Sequence, residues 1–187
     1  MMTMQMAKPK SCNGVDVTAL TATLDALRHQ PALGAFQFRA RNTWLGGGLN
    51  RSTIQGFFGA GKEETRARPF TFAADEPPVL HGGDQGANPV EFVLHALAAC
   101  LTTTMVYHAA VRGIEIGAVS SELEGDIDVR GFMGLADDVR KGFSRVRVKI
   151  RVASNASAER LAELAKFSPV YDIVSNSLPV DVTVETH

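Results

Sequence analysis

Cys100 is the residue in this sequence best suited to covalent chemistry. A thiol attacks as its thiolate, and the thiolate needs a nearby cation or hydrogen-bond donor to persist near neutral pH. The run Ala98-Ala99-Cys100-Leu101 also reads as plain core, because free cysteine is among the most buried residue types. The second cysteine, Cys12, is remote in sequence, and the two form neither a CxxC pair nor a metal-ligand spacing. Two cysteines in 187 residues suit a reducing compartment better than a disulfide scaffold.

Helical geometry limits what can activate Cys100. Asn88 is a good N-cap, Pro89 fits the first helical position, and Gly113 is a natural stop, so a helix is expected between them. Glu91 lies nine residues before Cys100 and points to the opposite side of a straight helix. His108 lies eight residues after it, about 80° round and roughly 12 Å along the axis. Thr104, four residues on, is the polar residue that shares the face of Cys100, with Thr103 next. Any activating cation must therefore come from another segment or another chain. His95 and His108 are thirteen residues apart with no HxxxH or carboxylate companion, so they read as core or interface histidines and no metal is expected. His81 and Asp84 lie in a loop that could approach the thiol or simply be solvated. Gly46-Gly47-Gly48 lacks the GxxxxGK[ST] pattern, no GxSxG or HExxH occurs, and no cofactor is expected.

The elements that must position these residues follow from periodicity. Residues 1–33 read as a tail and a peripheral helix, with Leu20, Leu24 and Leu27 on one face and Pro31 ending it; residues 34–187 read as the main domain. Phe36 to Phe72 is strand-like, broken by a turn at the three glycines. A long Pro- and Gly-rich loop precedes Asn88. Phe92 to Val111 carries no formally charged residue and is expected to be buried on all sides. Its length would also span a membrane, but His95, His108 and Thr102-Thr103-Thr104 argue against that. Then Glu122, Glu124, Asp126 and Asp128 alternate with apolar residues, as do Arg145, Arg147, Lys149 and Arg151, which predicts an antiparallel pair with opposite charges across its wet face. Ser157 caps one short helix, Pro169 starts another, and Val180, Val182 and Val184 predict a final strand. The fold class is α+β: a curved antiparallel sheet on a long buried helix. A helix dry all round needs more cover than one chain of this size supplies, which predicts a homodimer. With 45% hydrophobic and 21% charged residues the composition is ordinary for a globular chain, and a net charge of -1 argues against nucleic acid or a membrane surface as partner. The N-terminal residues show no apolar stretch of secretory type, and a cytoplasmic location is expected.

The stretches GANPVEFVLHALAACLTTT and FSPVYDIVSNSLPVDVTVE resemble the two signatures of the OsmC/Ohr family, and Trp44 with Gly46 resembles its first hairpin opening. The resemblance covers roughly residues 36–186. It implies an intertwined dimer with sites at the subunit interface and thiol-dependent reduction of organic hydroperoxides. It puts Cys100 in the position that attacks the peroxide. The resolving cysteine of the family would precede Pro169, where this chain has Ser168, and a hydroxyl cannot form a disulfide. The glutamate that usually follows the Asn-Pro is displaced by one: Val90 stands there and Glu91 comes next. The arginine that stabilises the thiolate would come from the early strands, Arg51 first, with Arg66 and Arg68 as alternatives. The family reading is thus a stress-response protein with one reactive cysteine, an external thiol as reductant, and Thr104, His81 and His108 lining the site. The alternative is a non-catalytic protein holding a small apolar ligand at the dimer interface. A thiol hydrolase is disfavoured because no Cys-His pair is apparent.

Overall fold

A computed structural model describes residues 11–186. The chain falls into two compact units, Met1–Val93 and Leu94–His187.

In the first unit, β1 (Ser11–Cys12) pairs with β2 (Val15–Asp16). Helix α1 (Val17–His29) follows, capped by Asp16, whose Oδ1 accepts from Ala19 N at 2.9 Å. Leu20, Leu24 and Leu27 are its half-buried face, and it stops just before Pro31, as the sequence predicts. Four antiparallel strands come next: β3 (Gln37–Phe38), β4 (Arg41–Gly46), β5 (Leu49–Gly59) and β6 (Lys62–Ala74). β6 takes one edge of β5, while β3 and β4 share the other. The β4–β5 turn is built on Gly46 and Gly47, with φ of 129° and 56° that only glycine adopts freely. Trp44 Nε1 donates to Gly47 O at 3.0 Å and ties the turn back to β4. Phe36, Phe38 and Phe57 stack on one face, and the Arg66 guanidinium lies 4.9 Å from the Phe57 ring centre and 5.6 Å from that of Phe70.

Helix α2 (Pro89–Val111) begins in the first unit and continues through the second. In the second unit it is followed by β7 (Ile116–Asp126), the single turn α3 (Val129–Phe132), β8 (Arg145–Ser154), α4 (Ala158–Ala165) and α5 (Pro169–Ser175). β7 and β8 are antiparallel, with Glu124 opposite Arg147 and Asp126 opposite Arg145. Arg147 bridges Glu124 (3.2 Å) and Asp126 (2.6 Å), and Arg151 reaches Glu122 (2.7 Å), so the predicted charge ladder forms. These pairs are exposed; they favour this register more than they add stability. On the other face, Leu123, Val146, Ile150 and Val152 pack against a core of Leu97, Leu101, Met105, Ala109, Leu161, Leu164 and Ala165. Burying each of the larger of these is worth about 1.5–3 kcal/mol.

Within the single chain α2 buries the stripe Leu97, Leu101, Met105 and Ala109, with Ala110 beside it, while Val93, Tyr107 and Val111 stay exposed. Four-residue spacing returns to nearly the same side of a helix, so one stripe is what one packed layer can cover. That a single chain leaves the other faces uncovered is what the sequence leads one to expect. One expectation changes, the final strand: Val180, Val182 and Val184 form no ladder and are 74–81% exposed. Alternation specifies a strand only when a neighbouring edge supplies hydrogen bonds.

Candidate functional site

Cys100 lies midway along α2, half-buried and in no disulfide. Its sulfur is 4.0 Å from Thr104 Oγ1, one turn on, at the outer limit for a hydrogen bond to sulfur. The i, i+4 pairing of Cys100 with Thr104 therefore forms as the helix spacing predicts. Leu97, three residues before it, and Leu101 beside it are buried in the core stripe, so the half-buried thiol lies on the flank of that packing.

Ser168 is the N-cap of α5: it is 1% exposed, and its Oγ accepts from Tyr171 N at 3.1 Å. Pro169 occupies the first helical position, so the Ser-Pro pair that stands where the resemblance places a Cys-Pro is a helix start in its own right. His108 stacks nearly parallel on Phe167, with ring centres 4.5 Å apart. Arg112 Nη1 donates to His108 Nδ1 at 3.1 Å and to His108 O at 2.9 Å. Burial, and then the charge of Arg112, holds the imidazole below its ordinary pKa and so favours its neutral form. His108 is committed to Phe167 and Arg112 rather than held free as a base.

Glu91, Arg51 and His81 belong to the first unit. The Glu91 carboxylate accepts from Asn88 N at 2.8 Å, while Asn88 Oδ1 accepts from Val90 N at 3.0 Å. This is a reciprocal capping box at the start of α2. Arg51 is exposed on β5, paired in register with Thr43 and Ala73. His81 ends a 3-10 turn (Pro78–Leu80) with φ of 64°. Sequence reasoning missed the residue that shapes this loop, Asp75. Its carboxylate is 2% exposed and accepts from Glu76 N (2.8 Å), Gly83 N (3.1 Å) and Gln85 N (3.2 Å). Nothing local marks an acid after a strand as buried; only the returning loop supplies its donors. Among the described residues no three His, Cys, Asp or Glu side chains gather as a metal site.

An α+β chain with antiparallel ladders, a long apolar helix and a thiol halfway along it is a well-defined class, and comparison with known proteins identifies it. The family model described as OsmC-like protein matches residues 82–185, and the chain belongs to that family. Among solved structures it is similar to an OsmC-like protein from Mycoplasma pneumoniae, with 16% identity, a TM-score of 0.55, and 75% of this chain and 89% of that one covered. An OsmC-like protein of unknown function from Vibrio cholerae is similar at 11% identity and a TM-score of 0.54, covering 76% of this chain and 93% of that one. An organic hydroperoxide resistance protein OsmC from Legionella pneumophila is similar at 20% identity and a TM-score of 0.50, covering 74% and 88%. At these identities the structural likeness is one of fold. A search of curated proteins gives no match.

Proposed function

We propose that this chain is a one-cysteine, thiol-dependent peroxidase that reduces organic hydroperoxides, acting as a cytoplasmic homodimer. The observation that carries the reading is the placement of Cys100: half-buried, in no disulfide, and on the flank of the packed stripe of the central helix rather than within it. The Cys100 thiolate attacks the outer oxygen of the hydroperoxide. The O–O bond breaks, the alcohol leaves after taking a proton, and Cys100 becomes a sulfenic acid. A second cysteine would condense with it, but Ser168 cannot. An external thiol therefore attacks the sulfenic sulfur, releases water and leaves a mixed disulfide. A second equivalent of thiol restores Cys100 and departs as the external disulfide. Arg51, with Arg66 and Arg68 as alternatives, is the cation proposed to hold the thiolate. Glu91 in this scheme anchors the helix start, and Thr104 stands one turn from the thiol.

The test follows consumption of cumene hydroperoxide with a monothiol and then a dithiol, with dimedone trapping after one equivalent of peroxide. Turnover with either reductant, a dimedone adduct on Cys100 and loss of both in Cys100→Ser are expected. A thiol titrating at or above about 8.5, the ordinary value, with no turnover in either reductant would sink the peroxidase and leave the apolar-ligand binder.

A further inference from the structure

The second unit contains a cavity of about 560 Å³ that the thiol does not line. It is a wedge between the dry face of β8 (Val148, Ile150, Val152) and two residues of the α2 stripe, Leu101 and Met105. It stays open because the α4 residues in its wall include Ala158, Ala162 and Ala165, whose single methyls do not fill it. The wall is aliphatic apart from two residues, Lys166 and Tyr171. The neighbouring carboxylate of Glu163 is engaged by Arg160 at 2.9 Å, and among the described residues Lys166 enters no ion pair.

We infer that this cavity binds a monoanionic amphiphile, a carboxylate on an unbranched aliphatic tail of medium length. The volume lies within the range of small-molecule sites, about 300–1,000 Å³, and such sites pair apolar walls with a few placed polar groups. The tail lies against Leu101, Met105, Ile150 and Val152, which offer no hydrogen bonds and reward only apolar contact. The head takes the Lys166 ammonium and the Tyr171 hydroxyl as donors. One cation selects one negative charge, and a charge-assisted hydrogen bond at the mouth of an apolar cavity is stronger than a neutral one. A cationic amphiphile would set like charge against Lys166, and a neutral alcohol would forgo the ion pair. Because Cys100 is outside the wall, binding does not depend on peroxidase chemistry.

Calorimetric titration of the full chain with decanoate, 1-decanol and decyltrimethylammonium, each below its micelle concentration, tests this. Decanoate is expected to bind at one site per chain, at least tenfold tighter than decanol, with no binding of the cation. Lys166→Gln should bring decanoate down to the level of decanol. Ala162→Phe should abolish binding of both, and Cys100→Ser should change neither. Where Ala162→Phe does not fold, protection of Lys166 from acylation by saturating decanoate gives the same answer in the unaltered chain. Equal affinity for decanoate and decanol, an unaffected Lys166→Gln, or unprotected Lys166 would overturn the assignment. So would an unaltered chain that binds none of the three while Ala162→Phe lowers its oligomeric mass, which would give the cavity to a second copy of the chain.

Discussion

At the scale of single residues, Ser168 and His108 make opposite points about what a sequence reveals. The type of residue at position 168 was legible, and so was its chemical meaning: no second thiol. What it does was not, because capping is fixed by the turn from α4 into α5. Ser168→Ala removes the acceptor for Tyr171 N and should cost about 1 kcal/mol. Urea unfolding should show this as a lower midpoint with unchanged slope. Ser168→Cys should incur a similar cost and supply the missing partner. After one equivalent of peroxide, a disulfide between the introduced thiol and Cys100 is expected by mass spectrometry of unreduced peptides. Sulfenic acid on Cys100 without that disulfide would refute the assignment of position 168. The sequence marks His108 as a core or interface histidine; its face-on contact with Phe167 and the cation beside it are not visible there, since Phe167 comes from a distant segment. The lowered pKa has a definite sign. The unfolded chain binds the proton more readily, so the contribution is fully present above the unfolded value, about 6.5, and is lost as pH falls through and below it. Urea midpoints at pH 7.5 and 5.5 should therefore fall less in His108→Gln than in the unaltered chain.

At the scale of elements, local signals and tertiary partners contribute unequally. Every start that the sequence marked with a polar cap formed: Asn88 at α2 and Ser157 at α4, where Ser157 Oγ accepts from Arg160 N. Period-two patterns became ladders where a neighbouring strand was available, as in β7 and β8, and failed to do so at Val180–Val184 where none was. The caps decide where α2 begins, but its packed stripe decides how stable it is. Asn88→Ala should cost about 1 kcal/mol, whereas Leu101→Ala, which opens a cavity in the core, should cost about 2–5 kcal/mol. Reversal of that order would mean that the stripe is not the main support of the helix. The loop before α2 obeys a different rule. With three backbone N–H groups converging on one buried carboxylate, Asp75 holds the loop as a unit, and Gly86 has no room for a side chain because a Cβ there would meet Ala73 O at 2.3 Å. Asp75→Ala leaves those donors unpaired. Limited proteolysis should then cut between residues 76 and 88 well before the rest of the chain, while α2 and the second unit persist.

At the scale of the whole molecule, the distribution of burial decides what a single chain lacks. Among the described residues the buried hydrophobic ones lie in the second unit: Leu97, Leu101, Met105, Ala109, Ala110, Leu161, Leu164 and Ala165. Across the rest of the chain, Phe36, Phe38, Trp44 and Phe70 are more than half exposed, α2 shows Tyr107 and Val111, and the C-terminal valines stand free. A soluble monomer rarely leaves so much apolar surface open, and a stable interface of about 1,600 Å² would cover much of it. A second copy is the proposed cover, since its sheet could supply the layer that the outer side of α2 needs. Sedimentation velocity at low micromolar concentration should therefore give twice the chain mass. Val182→Asp places a charge on the exposed apolar segment and should shift the population toward monomer, while Asp181→Asn, on the alternate side of the same segment, should leave it dimeric. A chain that sediments as a monomer across that concentration range, with its aromatic face still open to an environment-sensitive dye, would show that nothing of its own kind covers it.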